Sequence, residues 1–372
     1  MENLVLYRKY RPQNFGDIIG QEHVTKTIAN EIKSEQTAHA YLFSGPRGCG
    51  KTTTARVIAK AVNCLNRKPE EAEPCGKCAN CLEIQSGRAI DLIEIDAASH
   101  RGIDDIRELR EGIKFAPAKL KYKVFIIDEC HQLSKDAANA LLKTLEEPPA
   151  HAIFILATTE LHKILPTIMS RCQRFDFRKL SLPELTSRLQ KLADREKVKI
   201  EKTALELIAL SAAGSVRDAE SLLGQILILA AQKKSAIGAP DIREFLGITE
   251  IKAAADLTEF IAKKNAAKAI ALLNEIAEKG YDIAEYGKNL LSYLRHALIL
   301  AIINPKDAKN DNLMIAGLTD EEFEILRRQT LAMGEPKIKQ TIESFLAAQD
   351  RIRYSPIPQL PMEIALVESC FL

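Results

Sequence analysis

The residues Gly45-Pro46-Arg47-Gly48-Cys49-Gly50-Lys51-Thr52 have the spacing G-x-x-x-x-G-K-T. A turn of this kind can wrap a phosphate group. Its glycines let the backbone approach closely, and its N–H groups converge with the positive end of the next helix's dipole. Lys51 would neutralise charge between the outer phosphates, the Thr52 hydroxyl would hold Mg²⁺, and Thr53 beside it belongs to the nucleotide-binding set. The alternative is a glycine-rich strand-to-helix turn that carries a lysine by chance.

About 75 residues downstream, the apolar run Lys123-Val124-Phe125-Ile126-Ile127 ends in Asp128-Glu129. Ligands of open parallel sheets bind beyond the carboxyl ends of strands, so Asp128 can reach the Mg²⁺ shell and Glu129 can orient and deprotonate an attacking water. Alone this is a weak signal, because many buried strands end in solvated acids; paired with the phosphate loop it reads as a nucleotide-hydrolysis site. Thr159, after a further strand, could hydrogen-bond the water or the γ-phosphate, or could simply cap. Phosphoryl transfer builds negative charge that an arginine stabilises, which makes Arg171 and Arg217 candidates; either could equally be a surface or ion-paired arginine.

Cys64, Cys75, Cys78 and Cys81 form C-x10-C-x2-C-x2-C. Four thiolates without histidine favour a closed, tetrahedral Zn²⁺ site, whose role would be to fold a small insertion. An iron–sulfur cluster is the main competitor, and free structural thiols are the bland alternative.

Five runs rich in β-branched and aromatic residues, 41–44, 92–95, 124–127, 153–157 and 174–177, read as strands buried on both faces. Helical spacing separates them: Val24, Ile28 and Ile32 precede the first, and Ala55, Ala59 and Val62 follow it. Ser134 caps a helix bearing Ala137, Leu141 and Leu145 that Pro148-Pro149 ends. Alternating strands and helices imply an α/β fold with a parallel sheet over residues 1–178. Beyond Leu180 the spacing is helical only. Gly238-Ala239-Pro240 separates a small helical block, 179–240, from a larger all-α block, 241–372, interrupted at 304–312 and by prolines 356, 358 and 361.

The 372 residues suit two or three domains. The 52 basic and 50 acidic side chains nearly balance, so any nucleic-acid contact must come from a local patch rather than a whole-protein field. No segment reaches the ~20 apolar residues of a membrane span. The charged first eleven residues lack an apolar signal core, so a cytoplasmic location is expected.

Several blocks coincide: Tyr7-Arg8-Lys9-Tyr10-Arg11-Pro12 with Ile19-Gly20-Gln21, the phosphate loop, Ile95-Asp96-Ala97-Ala98-Ser99, Leu141 to Pro149, and Ser170-Arg171-Cys172. With the four-cysteine insertion, they make the chain resemble the gamma/tau subunits of bacterial DNA polymerase III clamp loaders, most specifically over residues 1–220. The resemblance implies an AAA+ P-loop ATPase domain with a zinc insertion at about 64–81, a helical lid, and a helical collar that joins subunits. It implies Lys51, Asp128 and Glu129 as catalytic residues, Thr159 as the first sensor and Arg217 as the second, contacting nucleotide from the lid. Arg171 corresponds to an arginine finger that completes a neighbouring subunit's site. Tyr7, Arg11, Pro12 and Ile19 correspond to the adenine-side pocket; the alternative for that segment is an arm that merely packs on the sheet. ATP, Mg²⁺ and Zn²⁺ are the implied cofactors. The implied partners are the delta and delta prime subunits in a pentameric ring, the sliding clamp and primer–template DNA, with Arg107 and Lys143 at basic positions facing that DNA. Three other readings stay open: another AAA+ DNA motor such as a branch-migration ATPase, a non-catalytic interaction subunit, and a zinc-dependent nucleic-acid-binding module.

Overall fold

The computed structural model describes residues 5–99, 112–113, 115–230, 236–245, 250–303, 318 and 320–371. Strands β1 (Ala40–Ser44), β2 (Leu92–Asp96), β3 (Lys123–Asp128), β4 (Ala152–Thr158) and β5 (Gln173–Asp176) form one parallel sheet in the order β2-β3-β4-β1-β5. The expected parallel α/β sheet is therefore present, each strand within about two residues of its predicted range. β1 and β4 are buried at every position, as β-branched and aromatic runs should be in a sheet covered on both faces.

The expectation of two-sided burial fails at the sheet's margins. Glu94 and Asp96 on β2 and Gln173, Arg174 and Asp176 on β5 are exposed. These are the edge strands, paired on one side only. With one side unpaired, these strands carry exposed polar side chains, and Phe175 alone of their residues is buried.

Period-two alternation divides the core. On one face Tyr41 and Phe43 of β1, Val124 and Ile126 of β3, and Ile153 and Ile155 of β4 pack with Val24, Ile28 and Ile32 of α2 (Glu22–Lys33) and Ala55, Ile58 and Val62 of α3 (Lys51–Val62). A short α1 (Leu6–Lys9) precedes them, and α4 (Ala79–Ser86) follows the cysteine-bearing loop. On the other face Leu42, Phe125, Ile127, Phe154 and Leu156 pack with Ala138, Leu141 and Leu145 of α5 (Lys135–Glu146) and Ile168 of α6 (Pro166–Met169). Ser134 caps α5 as predicted, its side chain accepting from the Ala137 N–H.

Three further helices, α7 (Leu182–Arg195), α8 (Lys202–Ser211) and α9 (Val216–Ala230), belong with the sheet to one compact unit, Met1–Ile237. α7 begins with a reciprocal capping box between Ser181 and Glu184. The second unit, Gly238–Leu372, is helical: α10 (Ala239–Phe245), α11 (Glu250–Ala262), α12 (Ala266–Glu278), α13 (Ile283–Ile303), α14 (Asp320–Ile352) and α15 (Leu360–Phe371). Tyr286, Leu290, Leu294, Phe345 and Leu366 are buried at its centre. Gln329 is buried there and satisfied, accepting from Tyr293 Oη at 2.8 Å and donating to the Ala255 carbonyl at 2.9 Å. α14 is broken at Gly334, whose φ is +74°, two residues before Pro336. This break is not among the interruptions expected at 304–312 and at prolines 356, 358 and 361; a proline lacking its N–H together with a glycine breaks the helical ladder. Asn304 to Asn312 and Arg107 lie outside the described residues.

Candidate functional site

The phosphate loop emerges from β1 and enters α3 as its sequence requires. Gly45, Gly48 and Gly50 have φ of +145°, +76° and +106°, in the region that favours glycine. At Gly45 a side chain would also meet the Phe177 carbonyl oxygen at 2.3 Å. Lys51 is nearly buried, and its ammonium donates to the carbonyls of Gly45 (2.8 Å) and Pro46 (2.9 Å). Cys49 is buried, with its thiol toward the Pro46 carbonyl.

Across the mouth of the loop, β3 delivers its acidic end. Thr52 Oγ1 donates to Asp128 Oδ2 at 2.7 Å, joining two residues far apart in the sequence. Glu129 follows in the left-handed region at φ +48°. Its Oε2 accepts from both the N–H (3.1 Å) and the hydroxyl (2.8 Å) of Thr159. His131, with a nearly buried side chain, lies between acids: Nδ1 is 3.3 Å from Glu129 Oε2 and 2.9 Å from Thr158 Oγ1, and Nε2 is 3.3 Å from Glu160 Oε1.

A cavity of about 520 Å³ opens over these groups. It brings together most of the residues singled out from sequence: Tyr7, Arg11, Pro12 and Ile19 on one wall, Arg47 through Thr53 along the loop, Asp128, Glu129 and Thr159 at the sheet edge, and Arg217 from α9. Gly45 and Pro46 sit behind the loop as acceptors for Lys51. α9 starts directly against the loop: Val216 N donates to the Gly48 carbonyl at 3.1 Å, and the Arg217 guanidinium lies 4.9 Å from the Tyr7 ring centroid. Burial lowers the Arg11 pKa, and the neighbouring Arg56 charge adds to that effect. In an enclosed, cation-rich setting of this kind an anionic ligand would relieve the repulsion.

Arg171 is absent from the cavity lining. It follows α6, and its guanidinium pairs with Glu146 at 2.6 Å and donates to the Thr167 carbonyl. Lys143 is exposed on α5.

The cavity is also lined by residues to which the sequence assigns no role in the site. Asp96 ends β2 in register with Asp128, so the strand-end logic that found Asp128 could have found it. Arg188 of α7 and Glu220 of α9 form a buried ion pair at 2.8 Å, and Arg188 also donates to the Tyr10 carbonyl. Burial raises the Glu220 pKa, with Arg188 opposing it. No sequence pattern marks this pair, because two helices that meet only in the folded chain supply it.

Away from the cavity, the sulfurs of Cys64, Cys75, Cys78 and Cys81 all lie within 4.8 Å of one another. A tetrahedron with Zn–S bonds of ~2.3 Å has sulfurs about 3.8 Å apart, so the donor set fits such an ion with small adjustments. Backbone N–H groups of Lys77 and Cys78 point at Cys75 Sγ, and that of Cys75 at Cys64 Sγ. The Lys77 N–H bond, with that of Cys78 behind it, lowers the Cys75 thiol to about 6, which favours the ligating thiolate. Burial depresses the pKa of the nearby Lys60 ammonium, while the four sulfurs draw it upward.

Three protein-family models match consecutive parts of the chain: "DNA polymerase III, delta subunit" over residues 20–181, "DNA polymerase III clamp loader subunit, ATPase lid domain" over 184–232, and "DNA polymerase III subunits gamma and tau domain III" over 237–372. The chain is 41% identical over 370 residues to the DNA polymerase III subunit tau of Bacillus subtilis, covering all of this chain and 64% of that protein. It is 40% identical to the DNA polymerase III subunit gamma of Buchnera aphidicola, covering 80% of this chain and 81% of that one. Among solved structures, the Holliday junction branch migration motor RuvB of Thermotoga maritima is similar with a TM-score of 0.48 at 20% identity, over 74% of this chain and 86% of that one. The chain spans somewhat under two thirds of the tau relative's length. With 41% identity to a tau protein along the whole of this chain, 40% identity to a gamma protein along four fifths of it, and a gamma and tau domain model matching residues 237–372, the chain belongs to the DNA polymerase III gamma/tau family.

Proposed function

We propose that this protein is the ATP-binding and ATP-hydrolysing motor subunit of a replicative clamp loader. The observation that carries the reading is the 2.7 Å bond from Thr52 to Asp128, which closes the phosphate loop onto the acidic end of β3 over one cavity. Lys51 transfers its donors from the Gly45 and Pro46 carbonyls to the outer phosphates when triphosphate enters. Thr52 and Asp128 would hold Mg²⁺, which when bound supplies positive charge to the phosphate oxygens. Glu129 turns from Thr159 to take the proton of the attacking water, while Thr159 uses the freed hydroxyl to orient that water or the γ-phosphate. Arg217 reaches the phosphates from the start of α9, and the Tyr7, Arg11, Pro12 and Ile19 wall holds the adenine.

Arg171, bound to Glu146 and outside its own chain's cavity, acts on the nucleotide of an adjoining subunit. The site is then complete only in a ring, with delta and delta prime subunits making up a pentamer through the Gly238–Leu372 unit. ATP binding opens the sliding clamp, and hydrolysis on primer–template DNA releases it closed around the duplex. Lys143 and Arg107 contact that DNA. The four cysteines hold Zn²⁺ as a structural ion. The protein works in the cytoplasm; no described helix is long and apolar enough to cross a membrane. The four-cysteine cluster counts against a branch-migration motor.

The test is ATP turnover by the assembled complex with clamp and primed DNA, for wild type, Lys51→Ala and Arg171→Ala. Loss of the stimulated rate in both variants is expected. Turnover by isolated chains that is indifferent to Arg171→Ala would overturn the interface mechanism.

A further inference from the structure

The cavity wall contributed by Arg11, Pro12, Asp17, Ile18 and Ile19 has little structure of its own. Apart from one three-residue 3₁₀ turn at Phe15–Asp17, the segment between α1 and α2 is irregular, so outside partners must hold its shape. Two of those partners flank or belong to the four-cysteine insertion. Glu73, two residues before Cys75, grips consecutive backbone amides with both carboxylate oxygens: Oε2 accepts from Phe15 N at 2.8 Å and Oε1 from Gly16 N at 2.9 Å. Lys60, only 2% exposed and one helical turn before Cys64, donates to Gln13 Oε1 at 2.8 Å. Gln13 passes the contact on, its Nε2 donating to the Arg11 carbonyl at 2.9 Å. The neighbouring Ala72 and Phe15, both 4% exposed, are buried in one apolar cluster. The clasped residues 13–16 thus lie between the two stretches that face the cavity.

We propose that the four-cysteine insertion positions the base-side wall of the nucleotide cavity, with Glu73 and Lys60 as positioning residues, so that metal and nucleotide binding stabilise each other. This rests on the nucleotide reading above. Its physical basis is that an irregular loop such as the one around Glu73 takes its fixed shape from the ion that gathers its ends, because binding free energy at such a site is folding free energy. A fixed Glu73 carboxylate then fixes Phe15 and Gly16. A dication among four thiolates keeps two net negative charges, and the buried Lys60 ammonium offsets them while holding Gln13. Coupling of this kind is reciprocal: if the metal strengthens nucleotide binding, nucleotide must raise the metal affinity by the same factor at equilibrium.

The experiment uses the zinc-loaded chain and two readouts that do not depend on turnover. One is the affinity for a fluorescent ATP analogue carrying its label on the ribose; the other is zinc release to a chromogenic chelator with and without saturating ATP. Glu73→Ala should weaken nucleotide affinity about tenfold, with Glu73→Gln, which keeps one acceptor oxygen, in between. At equilibrium, ATP should lower the fraction of zinc lost to the chelator from the wild type, not from Lys51→Ala, and markedly less from Glu73→Ala. If the wild type binds no nucleotide, the nucleotide reading itself fails. If it binds nucleotide, but Glu73→Ala binds equally well and ATP leaves wild-type zinc release unchanged, the positioning role is wrong. Should Glu73→Ala lose zinc or fold poorly, ATP protection of zinc in the unaltered chain decides alone: its presence supports the coupling and its absence refutes it.

Discussion

Glu129 Oε2 lies 2.8 Å from Thr159 Oγ1, so the proposed general base and the proposed first sensor are hydrogen-bonded to each other across the ends of β3 and β4. Thr159→Val keeps the shape of the side chain and removes its hydroxyl, leaving Glu129 only the backbone N–H. The stimulated ATP turnover number should fall by roughly 10²-fold, as when a single oriented donor is lost from a reacting centre, while nucleotide affinity stays within about threefold. Thr159→Ser, which restores the hydroxyl, should recover most of the rate. A fall in affinity equal to the fall in rate would assign Thr159 to binding instead.

The Arg188–Glu220 pair sits where α7, α9 and the N-terminal arm meet, with side chains only 10% and 4% exposed. Removing one partner strands a buried charge, which typically costs about 3–5 kcal/mol. Glu220→Ala should therefore lower the melting temperature strongly, whereas the paired change Arg188→Met with Glu220→Leu should recover much of the loss. Denaturant melts of the wild type, Arg188→Met, Glu220→Leu and the paired variant check this; near-additive losses would contradict a pairwise ion contact.

The acid stability of the first unit should depend on Glu184. The Arg178 guanidinium beside it, helped by the Ser181 N–H and hydroxyl, holds this carboxyl at about 2, well below its ordinary value of 4.5. A folded-state value below the unfolded one means that the contribution is complete above about pH 4.5 and is lost as the pH falls toward 2. Glu184→Gln should lower stability by about 1 kcal/mol at neutral pH, a figure reduced from the full shift because the pair is solvent-screened. The difference from wild type should vanish near pH 2, as read from thermal melts at several pH values.

Gly45 tests the phosphate loop by geometry alone. With φ of +145° and a backbone oxygen 2.3 Å from where a Cβ would stand, Gly45→Ala cannot be relieved by rotating a side chain. The cost should be about 2–3 kcal/mol together with weakened nucleotide binding. Wild-type stability in this variant would mean that the β1–α3 turn is far more pliable than its contacts with Phe177 imply.

Much of the site is written locally in the chain. The loop from Gly45 to Thr52 must be a strand-to-helix turn because its glycines stand at dihedral angles that favour them, and Asp128-Glu129 must stand at a strand end because the four apolar residues before them, Val124 to Ile127, demand burial. The cysteines are legible for a similar reason: their spacing is a covalent constraint on how near four sulfurs can come. The full burial of β1 and β4 also follows from composition, whereas the half-exposed character of β2 and β5 does not, since strand order depends on which crossovers the helices permit.

Contiguous residues carry the chemistry that is legible in the chain: the phosphate turn, the acidic strand end and the sulfur cluster. Which distant side chains share those sites is set by folding. Arg188 and Glu220 meet because α7 and α9 pack together, Asp96 reaches the cavity because β2 lies in register with β3, and Glu73 finds Phe15 and Gly16 across 57 to 58 residues. Such pairings depend on a free-energy balance over the whole unit, in which no short segment contains enough interactions to specify its own partner.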